Sequence, residues 1–187
     1  MTAMTERPDE LALVERFRRG DDAAFDRIVT QHAAEIAALA NRLLAWPQDV
    51  DDVVQEVFIS ALQGLEKFRG QCQLRTWLFT ITVNKCRSYR RRASRNGKLM
   101  DTEPQIETHA NAETKAMTAE AFAQVQRAVQ ALPTKYREVV VLRYLEGLET
   151  AEICELLGIK ANTMQVRLNR ARKQLRESLT HLTQEKP

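Results

Sequence analysis

The feature that most restricts this chain is a helical apolar period running from Asp9 to about Arg95, interrupted by little besides Gly20, Pro47, Gly64 and Gly70. Apolar residues three and four positions apart give a helix one buried stripe, whereas a half-buried strand needs strict alternation. Such alternation is essentially absent, and even Val139-Val140-Val141-Leu142 sits inside a longer helical pattern. With only six Gly and five Pro in 187 residues, the chain also lacks the breakers a turn-rich β-protein would need. The expected fold class is all-α, with four or so helices before Arg95.

Between Asn96 and Ala119 the period lapses into a polar stretch with Gly97 and Pro104 and acidic Asp101, Glu103, Glu107 and Glu113, the best candidate linker. The period returns with Phe122, Val125, Val129 and Leu132 and stops at Pro133. It restarts through Tyr136, Val139, Val140 and Leu142 to Gly147, and two shorter helices are expected beyond. The organisation expected is two small helical domains, 1–95 and 120–187, joined by a flexible linker over 96–119. Each is near the lower size limit for a self-sufficient core.

Several function classes are disfavoured. Cys72, Cys86 and Cys154 form no CxxC pair and have no His at metal-ligand spacing, so no metal site or disulfide framework is expected. His32, His109 and His181 are scattered, and neither an HExxH nor a phosphate-binding GxxxxGK[ST] motif is present. The expectation is a protein that is not an enzyme and uses no cofactor. No apolar run approaches the roughly 18 residues of a membrane helix, and MTAMTERPDE lacks a signal-peptide core, so a cytoplasmic protein with no membrane insertion is expected.

The net charge of +3 says little, but its distribution says more. In TAEICELLGIKANTMQVRLNRARKQL, Thr150 is placed to cap a first helix, Gly158 to turn the chain, and Asn162 or Thr163 to cap a second, which is a helix-turn-helix pattern. On the second helix Met164, Leu168, Ala171, Leu175 and Leu182 share one face. Gln165, Val166, Asn169, Arg170, Lys173 and Arg176 lie opposite. A helix that reads the major groove needs this arrangement: Arg170 is suited to guanine, Gln165 or Asn169 to adenine, and Val166 to a thymine methyl, with cations nearby for phosphates.

The segment NKCRSYRRRASRNGK carries Lys85, Arg87, Arg90, Arg91, Arg92, Arg95 and Lys98 and no acid, which suits a phosphate backbone. Trp77, Phe79 and Tyr89 offer planar surfaces for unstacked bases, although spacing alone favours a core role for Phe79 and leaves Trp77 open. Earlier, Val50, Val54, Val57, Ala61 and Leu65 share one helix face and Asp49, Asp52 and Glu56 the opposite one. An acidic ridge beside a DNA-binding helix suits a basic protein surface.

Taken in order, these segments resemble the sigma-70 family of RNA polymerase sigma factors, of the small extracytoplasmic-function type. The stretch from Asp49 to Phe58 resembles the helix that docks on the β′ coiled coil. The resemblance thus implies that Asp49, Asp52, Gln55 and Glu56 contact core RNA polymerase, which would be engaged through its β′ and β subunits. The run from Phe68 to Arg92 resembles the promoter-melting and minus-ten-reading segment, with the base-receiving loop at about Phe68 to Leu74. The implied DNA contacts are Phe68, Arg69, Trp77, Asn84, Lys85, Arg87, Arg91 and Arg92. Ser88 stands where many members have Asp, and Thr82 where many have Ala.

The run Arg167-Leu168-Asn169-Arg170-Ala171-Arg172 is similar to the end of the minus-thirty-five-reading helix, with Gln165 and Val166 replacing a basic-then-Ser pair. It implies duplex contacts by Thr163, Gln165, Val166, Arg167, Asn169, Arg170 and Lys173. The resemblance further implies binding to promoter DNA, duplex and single-stranded, and restraint by an anti-sigma factor. The rival is a conventional helix-turn-helix regulator. It would use only residues after about Pro133 and leave Asp49 to Glu56 and the RTWLF stretch without a role.

Overall fold

The computed structural model describes residues 7–44, 49–95 and 114–184. These form eight helices and no strand, grouped in two compact units, so the all-α, two-domain expectation holds. The first unit contains α1 (Arg7–Arg18), α2 (Asp22–Leu44), α3 (Val50–Leu65) and α4 (Leu74–Arg95). The second contains α5 (Thr114–Ala131), α6 (Thr134–Val140), α7 (Thr150–Leu157) and α8 (Ala161–Gln184).

In the first unit α2 packs against the other three helices. Asp21 starts it, its carboxylate accepting the N–H groups of Ala23 and Ala24 while Arg16 Nε and NH2 donate to the same group at 2.8 and 2.6 Å. That is an N-cap further anchored to α1, and the Arg16 bond holds the Asp21 carboxyl below its ordinary value. Ile28, Ile36 and Leu39 of α2, Val57 and Leu65 of α3, and Leu78 and Phe79 of α4 are excluded from solvent. Each such side chain contributes about 1.5–3 kcal/mol on leaving water. The expected apolar face of α3 is as predicted except that Val54 is only half-buried; Val53 and Phe58 complete it. Gly64 lies under the Trp77 ring, where a Cβ would stand 3.0 Å from the indole, so any larger residue would push the ring back by a few tenths of an ångström.

In the second unit Val129 and Leu132 are buried, whereas Phe122 and Val125, in the first part of the same expected stripe, are exposed. The helix begins at Thr114, so the end of the expected 96–119 linker is helical. Thr114–Ala119 contains Lys, Met and Ala, which favour helix. The rest of that linker, with Gly97, Pro104 and His109, lies outside the described residues. Buried Arg137 closes the end of α5 by donating to the carbonyls of Gln130 and of Leu132, the latter at 3.1 Å. The run Val139–Leu142 is buried, but Val141–Leu145 widens into a π-helical turn that presents Tyr144 and Leu145 to solvent.

Two expected caps are corrected. The N-cap of α7 is Glu149, not Thr150: its N–H donates to the Glu152 carboxylate at 2.9 Å, and its carbonyl accepts the N–H of Ile153 at 3.0 Å. The helix α8 begins at Ala161, where the Lys160 carbonyl accepts the Met164 N–H at 3.0 Å, so Asn162 and Thr163 lie within its first turn and not before it. Nor is α8 short: it has 24 residues against eight in α7, because no Gly or Pro interrupts Ala161–Gln184. The Gly158 turn is as expected, with φ +65° and the Ile159 N–H returning to the Cys154 carbonyl at 2.9 Å.

Candidate functional site

On α8 the predicted division of faces is present. Met164, Leu168 and Ala171 are buried, Leu175 is half-buried, and Leu182 lies outside the described side chains. Thr163, Gln165, Val166, Asn169, Arg170 and Lys173 are exposed, and Arg167 is half-buried. Gly158 reverses the chain between α7 and α8, and Asn162, Thr163, Gln165 and Val166 in the first turns of α8 are exposed. Two further residues, not chosen from sequence, join them. Lys135 and Tyr136 of α6 line an open groove of about 280 Å³ together with Thr163, Val166, Arg167 and Arg170. Tyr136 had been legible only as one more apolar position.

The first unit departs further from expectation. Phe68, expected in the base-receiving loop, is buried, its ring centroid 5.2 Å from that of Trp77; it anchors the loop from below and presents no free face. Phe79 is fully buried beneath the Arg75 guanidinium, 4.3 Å from its centroid, which bears out the core reading. Trp77 is half-buried between Phe68 and Gly64, with part of the indole still open. Arg69, Asn84, Arg91 and Arg92 are exposed and Lys85 and Arg87 half-buried, all on α4 or the loop before it.

Tyr89 is half-buried, with its hydroxyl turned to the start of α3. Burial and a hydrogen bond from its hydroxyl to the Asp49 carboxylate push the phenol up to about 12, and Arg92 lies 5.8 Å from the ring centroid. The acidic ridge and the basic helix are therefore not separate surfaces. Glu56 accepts a bond from Arg92 at 2.8 Å and faces the Lys85 ammonium at 3.6 Å, while Asp52 and Gln55 remain exposed. Helices α3 and α4 pack side by side, which brings their charged edges into register. Since Arg92 and Glu56 are 50% and 37% exposed, the pair is worth only about 0.2–1 kcal/mol.

Residues unrelated by local spacing shape the loop. The Arg18 guanidinium donates to the Phe68 carbonyl, and the Leu74 N–H, at the start of α4, donates to Glu10 at 3.3 Å. Arg75 Nε donates to Glu35 at 2.5 Å, and buried His32 lies 3.8 Å from both Glu10 and Glu35. His32 and then Arg75 hold the Glu35 carboxyl below its ordinary value. The two departures on α4 fit their surroundings: Thr82 is fully buried with its hydroxyl donating to the Leu78 carbonyl at 2.8 Å, and Ser88 Oγ accepts a bond from Arg91 at 3.1 Å.

An acidic helix paired with a basic one, followed by a second unit with an exposed polar helix face, is also the order in which known families match. The profile described as Sigma-70 region 2 matches residues 28–96, and that described as Sigma-70, region 4 matches residues 122–175. The ECF RNA polymerase sigma-E factor of Escherichia coli strain K12 is 33% identical over 179 residues, covering 90% of this chain and 93% of the relative. This chain belongs to the sigma-70 family, in its ECF branch.

The sigma-E factor of Haemophilus influenzae is 32% identical, with 96% of this chain and 100% of that protein covered. Among solved structures, CnrH in complex with the cytosolic domain of CnrY is similar with a TM-score of 0.66 and 28% identity, over 91% of this chain and 96% of that one. The sigma factor RpoE in complex with the anti-sigma factor NepR, from Bartonella quintana, shares the fold with a TM-score of 0.69 and 23% identity, covering 83% of this chain and 96% of that one. As an ECF sigma factor the protein binds core RNA polymerase and directs promoter-specific initiation. The region 2 match gives Asp49–Glu56 and the RTWLF stretch a place that the conventional-regulator alternative left empty.

Proposed function

We propose a division of labour between the two units of this ECF sigma factor. Residues 1–95 dock on core polymerase and capture the melted strand, and residues 120–187 read the upstream duplex element. The observation that carries this reading is the exposed row Gln165, Val166, Asn169 and Arg170 on α8, supported on its buried side by α6 and α7. A helix so presented fits the major groove, where Arg recognises guanine, Gln or Asn adenine, and Val the thymine methyl. Thr163, Arg167 and Lys173 hold the flanking phosphates.

In the first unit Asp49, Asp52, Gln55 and Glu56 form the polymerase contact. Arg69, Trp77, Asn84, Lys85, Arg87, Arg91 and Arg92 face the separated strand, with Phe68 supporting them from the core. Docking requires Glu56 to exchange Arg92 and Lys85 for a cation of polymerase, and the small value of an exposed pair makes that exchange easy. The freed Arg92 and Lys85 are then available to phosphates. Unstacking a base costs about a few kcal/mol, which its capture offsets, so the chain opens promoter DNA by binding and not by catalysis of its own. Linking two modest sites raises overall affinity through effective concentration.

The protein works in the cytoplasm, where polymerase and promoter are; among the described residues no helix is long and apolar enough to cross a membrane. Restraint by an anti-sigma factor is supported by the likeness to CnrH, which was solved with a protein partner. The test is transcription of a genomic DNA library by bacterial core polymerase with and without this protein, with start sites mapped. New starts that share two spaced elements are expected. Duplex binding by the protein without new starts would overturn the proposal.

A further inference from the structure

The loop between α3 and α4 is held at both ends by side chains of α1. At its start the Arg18 guanidinium, which also pairs with Glu15 of its own helix, donates to the Phe68 carbonyl. At its end the Glu10 carboxylate accepts the Leu74 N–H at 3.3 Å. Between these anchors Arg69, Gly70 and Gln71 form an exposed crest. Gly70, with φ +66°, lies so close to α1 that a Cβ there would stand 3.0 Å from Leu11 Cδ2. Glu10, Leu11 and Arg18 fall within about 100° of one another around α1, so a single stripe of that helix serves the loop.

The stripe itself is fixed in place. Leu13 and Val14 of α1 are buried, α1 packs on α2, and Arg16 ties their junction to Asp21. The second residue of α4 is held in the same manner. Arg75 Nε donates to Glu35 of α2 at 2.5 Å, and buried His32 lies 3.8 Å from both Glu35 and Glu10. The two ends of the loop are thus bonded to helices that contribute no residue to it, while its crest stays open. A loop free to re-form could fit several bases, whereas one held at both ends has a single shape to offer.

We infer that α1 is a clamp on the base-receiving loop: Arg18 and Glu10 are positioning residues that fix its two ends and so sharpen its preference for one unstacked base. This rests on the proposed role of the first unit in capturing the melted strand.

The test uses holoenzyme assembled from core polymerase and the full-length chain, selecting from promoters whose minus-ten segment is randomised and held open as a mismatched bubble, so that melting does not enter the readout. Arg18 lies outside the core, so Arg18→Ala keeps the fold. Arg18→Ala and Glu10→Ala should each lower preference at the captured base by about two- to tenfold, the value of one hydrogen bond, and leave preference in the upstream element unchanged. Arg18→Lys and Glu10→Gln, which keep a donor and an acceptor, should recover most of it. Arg16→Ala, which loosens α1 without touching the loop, should match wild type. A wild-type profile for both alanine variants, no recovery with the conservative pair, or an equal loss with Arg16→Ala would overturn the inference while leaving the role of the loop intact. No minus-ten preference in the wild type would overturn both.

Discussion

The basic helices α4 and α8 carry similar runs of cations and use them differently. On α4, Arg92 and Lys85 face Glu56, Arg91 bonds Ser88, and the Tyr89 hydroxyl is held by Asp49. On α8 the polar row is exposed, and Lys173 faces Glu177 of its own helix, at 3.9 Å between side chains that are 79% and 59% exposed. A cationic helix packed beside an acidic one is partly neutralised until a partner intervenes, whereas the polar row of α8 faces solvent. In the proposed division of labour this difference would couple polymerase docking to strand capture in the first unit and leave the second to read duplex directly.

The largest effect should come from reversing the ridge. Asp52→Lys with Glu56→Lys should weaken association with core polymerase by an amount on the order of 2–5 kcal/mol, as for a lost interfacial charge pair, measured by competition for core enzyme. Unaltered association would remove the docking site and with it one side of the comparison. Arg170→Ala comes next, at about 1–3 kcal/mol of upstream-element recognition, read by promoter selection in reconstituted transcription, with core association unaffected.

Glu56→Gln tests the neutralisation itself. The free protein should bind a fluorescent single-stranded oligonucleotide roughly two- to fivefold more tightly, the value of the lost ion pairs, while Asp51→Asn, an exposed change on the same helix, should do much less. Equal effects of the two would mean that net charge and not the Arg92 contact matters. Smallest is Glu35→Gln, at about 0.5–1 kcal/mol near neutral pH and confined to the first unit. The Glu35 carboxyl is held below its ordinary 4.5, so the folded state binds fewer protons than the unfolded one. Its contribution is present in full above 4.5 and lost as pH falls through the lower folded value. Acid titration of the variant should accordingly be flatter below 4.5 than that of the wild type.

Much of the candidate site is legible in the sequence. The open row on α8, the apolar stripe of α3 and the Gly158 turn each depend on residues within a few positions of one another. Less legible were the caps, because Thr150, Asn162 and Thr163 are all good cap residues and the choice fell to the reciprocal geometry of Glu149 and Glu152 and to the Lys160 carbonyl. Phe68 is implied as a base contact by the family resemblance and Tyr89 by its planar ring, and neither reading registers what the side chain packs against. Trp77 beside buried Phe68 and Asp49 beside half-buried Tyr89 are supplied by the fold.

The sequence by itself determined the helical class, the two halves and which faces of α3 and α8 are polar, since a helix sorts its side chains by a period set within one or two turns. Only the tertiary structure decided which charges are free. Arg92 meets Glu56 across 36 residues and Arg18 meets Phe68 across 50, and such pairings follow from how whole helices pack, which no local spacing records.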